Sequence, residues 1–233
     1  MYSILTMNSI INYLKNKQLI WQADHKLPIA NLNSTGFSEL DSELQGGFPQ
    51  QGVMDIDSPM GIGEIRLLLP NLLARQQTAE KLLVFIAPPT QLNGEMLAEY
   101  GFALKHILIL QPHSVQHALW SAEQCLKSGC CDAVLLWHQD LEIHQVKRLQ
   151  LAAQQGDALQ ILLRQNKQIS LSLPVTLGMK LRAHPQGLKV QVTKCKGGWP
   201  SQPFDLSMRH NWPALTLHPQ PANILPFPQS KVS

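Results

Sequence analysis

No lysine stands between Lys26 and Lys81 of this 233-residue chain, although the segment between them has the layout of a phosphate-binding loop. That absence excludes a loop lysine in any register. Other shortages narrow the field. Four cysteines, Cys125, Cys130, Cys131 and Cys195, lack the paired C-x-x-C spacing of a zinc site, and adjacent Cys130 and Cys131 do not normally bridge each other, so free thiols in a reducing cytosol are expected. No apolar run reaches the about 18 residues needed to cross a bilayer. The N-terminal MYSILTMNSIINYLKNKQLIWQ is interrupted by Asn and Lys and has no small-residue cleavage site, so it reads as an amphipathic helix rather than a signal peptide. A cytoplasmic protein with no membrane contact is the expectation. The net charge of +3 is spread along the chain, which permits nucleic acid or another acidic partner without indicating one.

What is present centres on GGFPQQGVMDIDSPMGIGEIRLLLPNLL. A loop of the form GxxxxGK, then Ser or Thr, follows a strand and opens a helix. Its amides cradle phosphates, the lysine reaches the terminal ones and the hydroxyl holds magnesium. Laid on Ser58 to Ile65, the pattern loses its first glycine to Ser58 and keeps the second as Gly63. The lysine becomes Glu64 and the hydroxyl residue Ile65; Gly61 is a further loop glycine. Two of three chemical tasks are unfilled. An anion in place of the cation, about 4 Å from a phosphate, costs about 4 kcal/mol per charge pair at an effective dielectric near 20. Arg66, the nearby cation, reads as solvated helix face or partner contact rather than as a substitute phosphate ligand. Glu64 then suits the helix N-terminus as an anion favourable to the dipole.

Short apolar strands at VMDID (53–57), LLVFIA (82–87), HILIL (106–110), DAVLLW (132–137) and LQILLR (159–164) alternate with helices near 62–77, 92–101, 114–128 and 142–155. This predicts an α/β fold: a mainly parallel sheet with helices on both faces, with ligands or partners met at the strands' carboxyl ends. From about residue 170, VTLGMKLRA and LKVQVTK predict an antiparallel hairpin turning near Pro185 to Gly187. A short helix FSELDSEL, capped by Ser34 or Thr35 and ended by Gly46 and Gly47, precedes the first strand. The expected organisation is an N-terminal helix and linker (1–33), one domain (34–212) and a Pro-rich tail (213–233). His113 and His117 lie four apart on the helix expected there. No acidic or thiol ligand accompanies them, so they read as structural or surface histidines, and no metal or cofactor is expected.

STGFSELDSELQGGFPQQG is similar to the T-G-x-x-x-L-D-x-x-L-x-G-G-x-P-x-G motif that precedes the phosphate loop in RecA-like ATPases. The matching residues are Thr35, Gly36, Leu40, Asp41, Leu44, Gly46, Gly47, Pro49 and Gly52. LKVQVTKCKGGWP resembles the RecA strand that ends in a Lys-x-Lys pair. More narrowly, GIGEIRLLLP, FIAPP, ALWSAEQCLKSG, RLQLAAQQG and KGGWP resemble the ImuA family of RecA-like accessory proteins of translesion synthesis. The middle segment also resembles the SulA division inhibitors. The retained leading motif, glycine-bearing loop and C-terminal hairpin favour the first resemblance.

The resemblance implies where catalytic stations should lie. The water-activating glutamate after the second strand is replaced by Pro88 and Pro89, and the magnesium-orienting acid at the end of the fourth is replaced by Trp137, followed by His138. Asp140 reads as a helix N-cap rather than a displaced acid. Phosphoryl transfer rests on positioning and charge stabilisation, so the joint change at Glu64, Ile65, Pro89 and Trp137 argues against an ATPase. The resemblance implies instead a non-enzymatic SOS-response adaptor binding RecA and translesion polymerase components, with self-association possible. A SulA-like inhibitor of FtsZ and a divergent ATPase using Arg66 and Asp140 are the alternatives. Lys194 and Lys196 stand either at such an interface or as solvated lysines, and Trp199 shares that surface or belongs to the core. Ile10, Ile11 and Leu14 form an apolar stripe for self-packing or a partner. The loop QNKQISLSLP offers only Lys167 and flanking Arg164 as cations and no aromatic, so DNA is expected only through partners.

Overall fold

The computed structural model describes residues 32–78, 80–165 and 173–213. The stripe at Ile10, Ile11 and Leu14, Lys167, and all but the first residue of the expected tail lie outside the described residues. Ten strands are described: β1 (Leu32–Asn33), β2 (Phe48–Pro49), β3 (Gly52–Asp57), β4 (Leu82–Ile86), β5 (Ile107–Leu110), β6 (Cys131–Trp137), β7 (Leu159–Arg164), β8 (Leu177–His184), β9 (Gly187–Cys195) and β10 (Phe204–Ser207). Five α-helices accompany them: α1 (Ser38–Leu44), α2 (Glu64–Thr78), α3 (Gly94–Glu99), α4 (Val115–Lys127) and α5 (Ile143–Gln155).

Eight strands form one sheet in the order β10-β9-β8-β3-β7-β6-β4-β5, while β1 and β2 form a separate antiparallel pair. From β8 to β5 every neighbouring pair is parallel; β8-β9 and β9-β10 are antiparallel. The hairpin turns at Pro185 and Gln186, with His184 opposite Gly187. The expected α/β sheet with a C-terminal antiparallel hairpin is what the chain forms.

Strand periodicity explains the two layers, since successive side chains point to opposite faces. On β3 and β4, Met54, Ile56, Leu83 and Phe85 face a core shared with Leu40 of α1, Leu67 and Leu72 of α2 and Leu97 of α3. Val53, Val84 and Ile86 face the other way, onto Ala118, Ala122 and Leu126 of α4 and Val146, Leu149 and Ala152 of α5. All of these are at most 5% exposed. Each fully buried Leu, Ile, Val or Phe contributes about 1.5–3 kcal/mol of transfer free energy. Continuously apolar strands are therefore required where both faces are covered.

Local details depart from the sequence expectation in four places. The N-cap of α1 is Phe37, with no side-chain cap, rather than Ser34 or Thr35. Asp41 instead reaches back, accepting from the Thr35 N–H at 2.7 Å and the Ser34 hydroxyl at 2.6 Å. Gln45, left-handed at φ 59°, terminates α1 ahead of the two glycines. Asp140 is not a helix cap: Glu142 caps α5 through a capping box with Gln145, the reciprocal pairing that satisfies two orphan amides. His113 precedes Ser114, the N-cap of α4, so it and His117 do not share a helix face. Unforeseen strands are β1, within the expected linker, its antiparallel partner β2, and β10, which pairs with β9.

Candidate functional site

The loop from Ser58 to Gly63 joins the carboxyl end of β3 to α2. It is pinned at its start, where the Ser58 N–H donates to the Arg164 carbonyl at 2.9 Å and its hydroxyl to the Pro59 carbonyl at 2.8 Å. Gly61 and Gly63 have φ of 78° and 112°, a region that side-chain-bearing residues rarely adopt. Those angles aim the two glycine amides inward, as a phosphate cradle requires. The acceptor they find is Glu64. Gly61 N–H donates to its Oε1 at 3.0 Å, and Gly63 N–H to its Oε2 at 3.1 Å.

Glu64 opens α2 and is 7% exposed. Its carboxylate therefore sits where the loop's amides converge, and the chain supplies its own anion to the helix N-terminus. Charge-assisted bonds of this kind contribute about 1.5–3 kcal/mol each. A bound phosphate would have to displace that carboxylate or lie beside it, against about 4 kcal/mol per charge pair at 4 Å and a dielectric near 20. The residues present do not fit a nucleotide polyphosphate. Ile65, half-buried in place of a hydroxyl, offers magnesium no ligand.

Around the loop lies an open groove of about 430 Å³ walled by Met60, Ile65, Pro88, Pro89, Leu92 and Trp137, with Arg66 on its margin. Arg66 folds back over the loop: its Nη2 stands 3.0 Å from where a Cβ on Gly63 would be. Trp137 ends β6 and stacks on Phe85 of β4, ring centroids 6.4 Å apart. Pro89 is exposed beyond β4. The structure thus brings together Ser58, Gly61, Gly63, Glu64, Ile65, Pro89 and Trp137 at one end of the sheet. Asp140 is exposed on the turn after β6 and is not among the groove's lining residues.

The remaining candidates lie elsewhere. Lys194 lies near the end of β9 and Lys196 just beyond it; Lys194 is half-buried and its Nζ donates to the Leu173 carbonyl at 2.8 Å, while Lys196 is exposed. Trp199 is 86% exposed. It is therefore a surface residue and not part of the core. Arg164 is not available to nucleic acid: it is buried and paired in two-point fashion with Asp55, Nε to Oδ1 at 2.5 Å and Nη2 to Oδ2 at 2.7 Å. Asp55 also holds the Arg164 guanidinium above its usual pKa, through hydrogen bonding that outweighs burial. Sequence reading missed the apolar walls of the groove, Met60 and Leu92. Their signal was the Pro88–Pro89 pair, which removes two backbone donors and leaves an apolar surface at the strand end.

All four cysteines are free. Among the described residues no helix is long and apolar enough to cross a membrane, and no cluster of three potential ligands is placed to hold a metal.

Comparison with known proteins bears on this geometry directly. The family profile described as "Cell division inhibitor SulA" matches residues 51–160. Over that stretch the chain is similar to SulA. The match runs from the residue before β3 through the first two residues of β7, so it includes the Glu64 loop. β8, β9, β10 and the segment holding α1 fall outside it. In the crystal structure of SulA from Pseudomonas aeruginosa, the similarity is 30% identity with a TM-score of 0.42, over 48% of this chain and 98% of that one. Distant similarity to RecA also appears. RecA of Rubrobacter xylanophilus is 31% identical over 54% of this chain and 36% of that protein. RecA of Crocosphaera subtropica is 29% identical over 53% and 34%. The chain thus spans about a third of the length of these RecA relatives.

Proposed function

We propose that this protein is a non-enzymatic adaptor of the SOS response, which binds RecA, a Y-family-like polymerase subunit, or both, during error-prone synthesis past DNA damage. The observation that carries the reading is the Glu64 carboxylate held by the Gly61 and Gly63 amides. A fold whose phosphate cradle is filled by its own side chain retains a binding scaffold and has no hydrolytic centre. RecA similarity over half the chain supports the SOS setting. The ordered segment with α1 and the β8–β10 hairpin region, beyond the SulA-like residues, supports an ImuA-type role. Exposed Trp199 offers a partner surface, since tryptophan recurs at binding hot spots. DNA is reached through partners.

The test is a pulldown of the full chain from DNA-damaged cells with identification of the bound proteins. RecA or a polymerase component is expected. Recovery of FtsZ without either overturns the reading. The second reading, a SulA-like inhibitor of FtsZ, is favoured by the family match over residues 51–160; overexpression that makes undamaged cells filament is its signature.

A further inference from the structure

The groove beside the filled loop has a chemistry that the adaptor reading leaves unused. It lies at the carboxyl ends of β3, β4 and β6, where open parallel sheets meet their ligands. Its walls are apolar, and Met60 stands 56% exposed over it. A methionine at an open surface adapts to varied apolar side chains. Arg66 contributes the positive charge on the rim. Among the described residues its guanidinium has no ion pair or hydrogen bond, and the nearest carboxylate in the loop, Glu64, is engaged by the glycine amides. A half-buried, uncompensated guanidinium at an apolar edge calls for a planar carboxylate, which it can bind in two-point fashion. Phosphate is the poorer match because the amides that would share its charge are already taken.

We infer that this groove docks an acidic, hydrophobic peptide segment of a partner protein, with a Leu, Ile or Phe side chain against Met60 and Trp137 and an adjacent Asp or Glu on Arg66. The inference rests on the adaptor reading and names the chemistry of its partner. The groove of about 430 Å³ holds a pair of side chains, within the range of pre-formed ligand sites.

The experiment probes an immobilised library of acetylated, amidated octapeptides with the full chain, then titrates retained peptides in solution while following tryptophan emission, with Trp137→Phe as the assignment control. Enriched peptides are expected to carry an acid within two residues of a bulky apolar side chain. Replacing that acid by lysine, or Arg66→Ala, is expected to weaken binding at least about tenfold. Met60→Glu, a change at an exposed position that leaves the core intact, should do the same by repulsion. Peptides without an acid, unchanged affinity in Arg66→Ala, competition by inorganic phosphate, or self-association in place of peptide binding overturns the inference. The two readings separate: partner proteins captured equally by wild type and Arg66→Ala refute the groove and leave the adaptor, whereas peptide binding without RecA or polymerase capture refutes the adaptor and leaves the groove.

Discussion

At the scale of residues, Glu64 does two things at once: it satisfies two loop amides and complements the start of α2. Glu64→Ala is expected to lower stability by about 3 kcal/mol or more, since it removes two charge-assisted bonds and leaves two loop amides without their acceptor, measured by chemical denaturation. Glu64→Lys restores the lysine of the motif and is expected to destabilise further, because it sets a cation at the positive end of the helix. It should yield no ATPase activity, since Ile65, Pro89 and Trp137 remain. His138 supplies a pH dependence. Neither ring nitrogen finds a hydrogen-bond partner among the described residues, and burial pulls its pKa below the usual histidine value, with Asp140 opposing in part. The folded chain then binds fewer protons than the unfolded one. Its contribution to stability is fully present above about pH 6.5 and is lost as pH falls toward the lowered folded value. Thermal melts should therefore show Tm falling from about pH 7.5 to 5.5, and His138→Gln should flatten that fall. The sequence exposed the substitution at position 64 but not its partners, because the positive φ of Gly61 and Gly63 is a property of the folded loop.

At the scale of elements, two buried ion pairs join parts that are distant in sequence. Arg164 at the end of β7 grips Asp55 of β3, and Arg75 of α2 grips Asp132 of β6 at 2.7 Å. Removing one partner strands a buried charge. Asp55→Ala is expected to lose about 3–5 kcal/mol, whereas the double change Asp55→Leu with Arg164→Met should recover most of that loss, as apolar replacement of buried pairs often does. Denaturant midpoints of the three chains check it. These pairs explain why Arg164 reads wrongly in one dimension. A lone arginine beside a loop looks like a cation for nucleic acid until the parallel pairing of β3 with β7 sets it on the same sheet face as Asp55. The five apolar strands and the main helices were legible because each carries its period for the full length of the element. β1, β2 and β10 were not: two, two and four residues hold too little pattern, and only pairing makes them strands, β1 with β2 and β10 with β9. The caps of α1 and α5 shifted by two or three residues because a suitable cap residue competes with its neighbours, and tertiary contacts choose.

At the scale of the whole molecule, the doubly covered sheet gathers the altered stations at one end and leaves Trp199 and Lys196 on the surface beyond β9. Trp199→Ala removes a side chain that is 86% exposed, so stability should change by no more than about 0.5 kcal/mol, while capture of the partner proteins in a pulldown should fall clearly. The leading motif proves structural at this scale. Gly36 lies against Pro70 of α2, where a Cβ would stand 2.4 Å from the proline Cβ, and Asp41 ties α1 to Thr35. Its residues hold α1 and α2 together, a structural task that does not depend on what the neighbouring loop binds. If Glu64 fills the phosphate cradle, nucleotide has no place to bind, and isothermal titration of the full chain with ATP and magnesium decides the point. No saturable heat is predicted up to millimolar nucleotide, in wild type or in Arg66→Ala. Saturable, magnesium-dependent binding by the wild type that Arg66→Ala abolishes would contradict it.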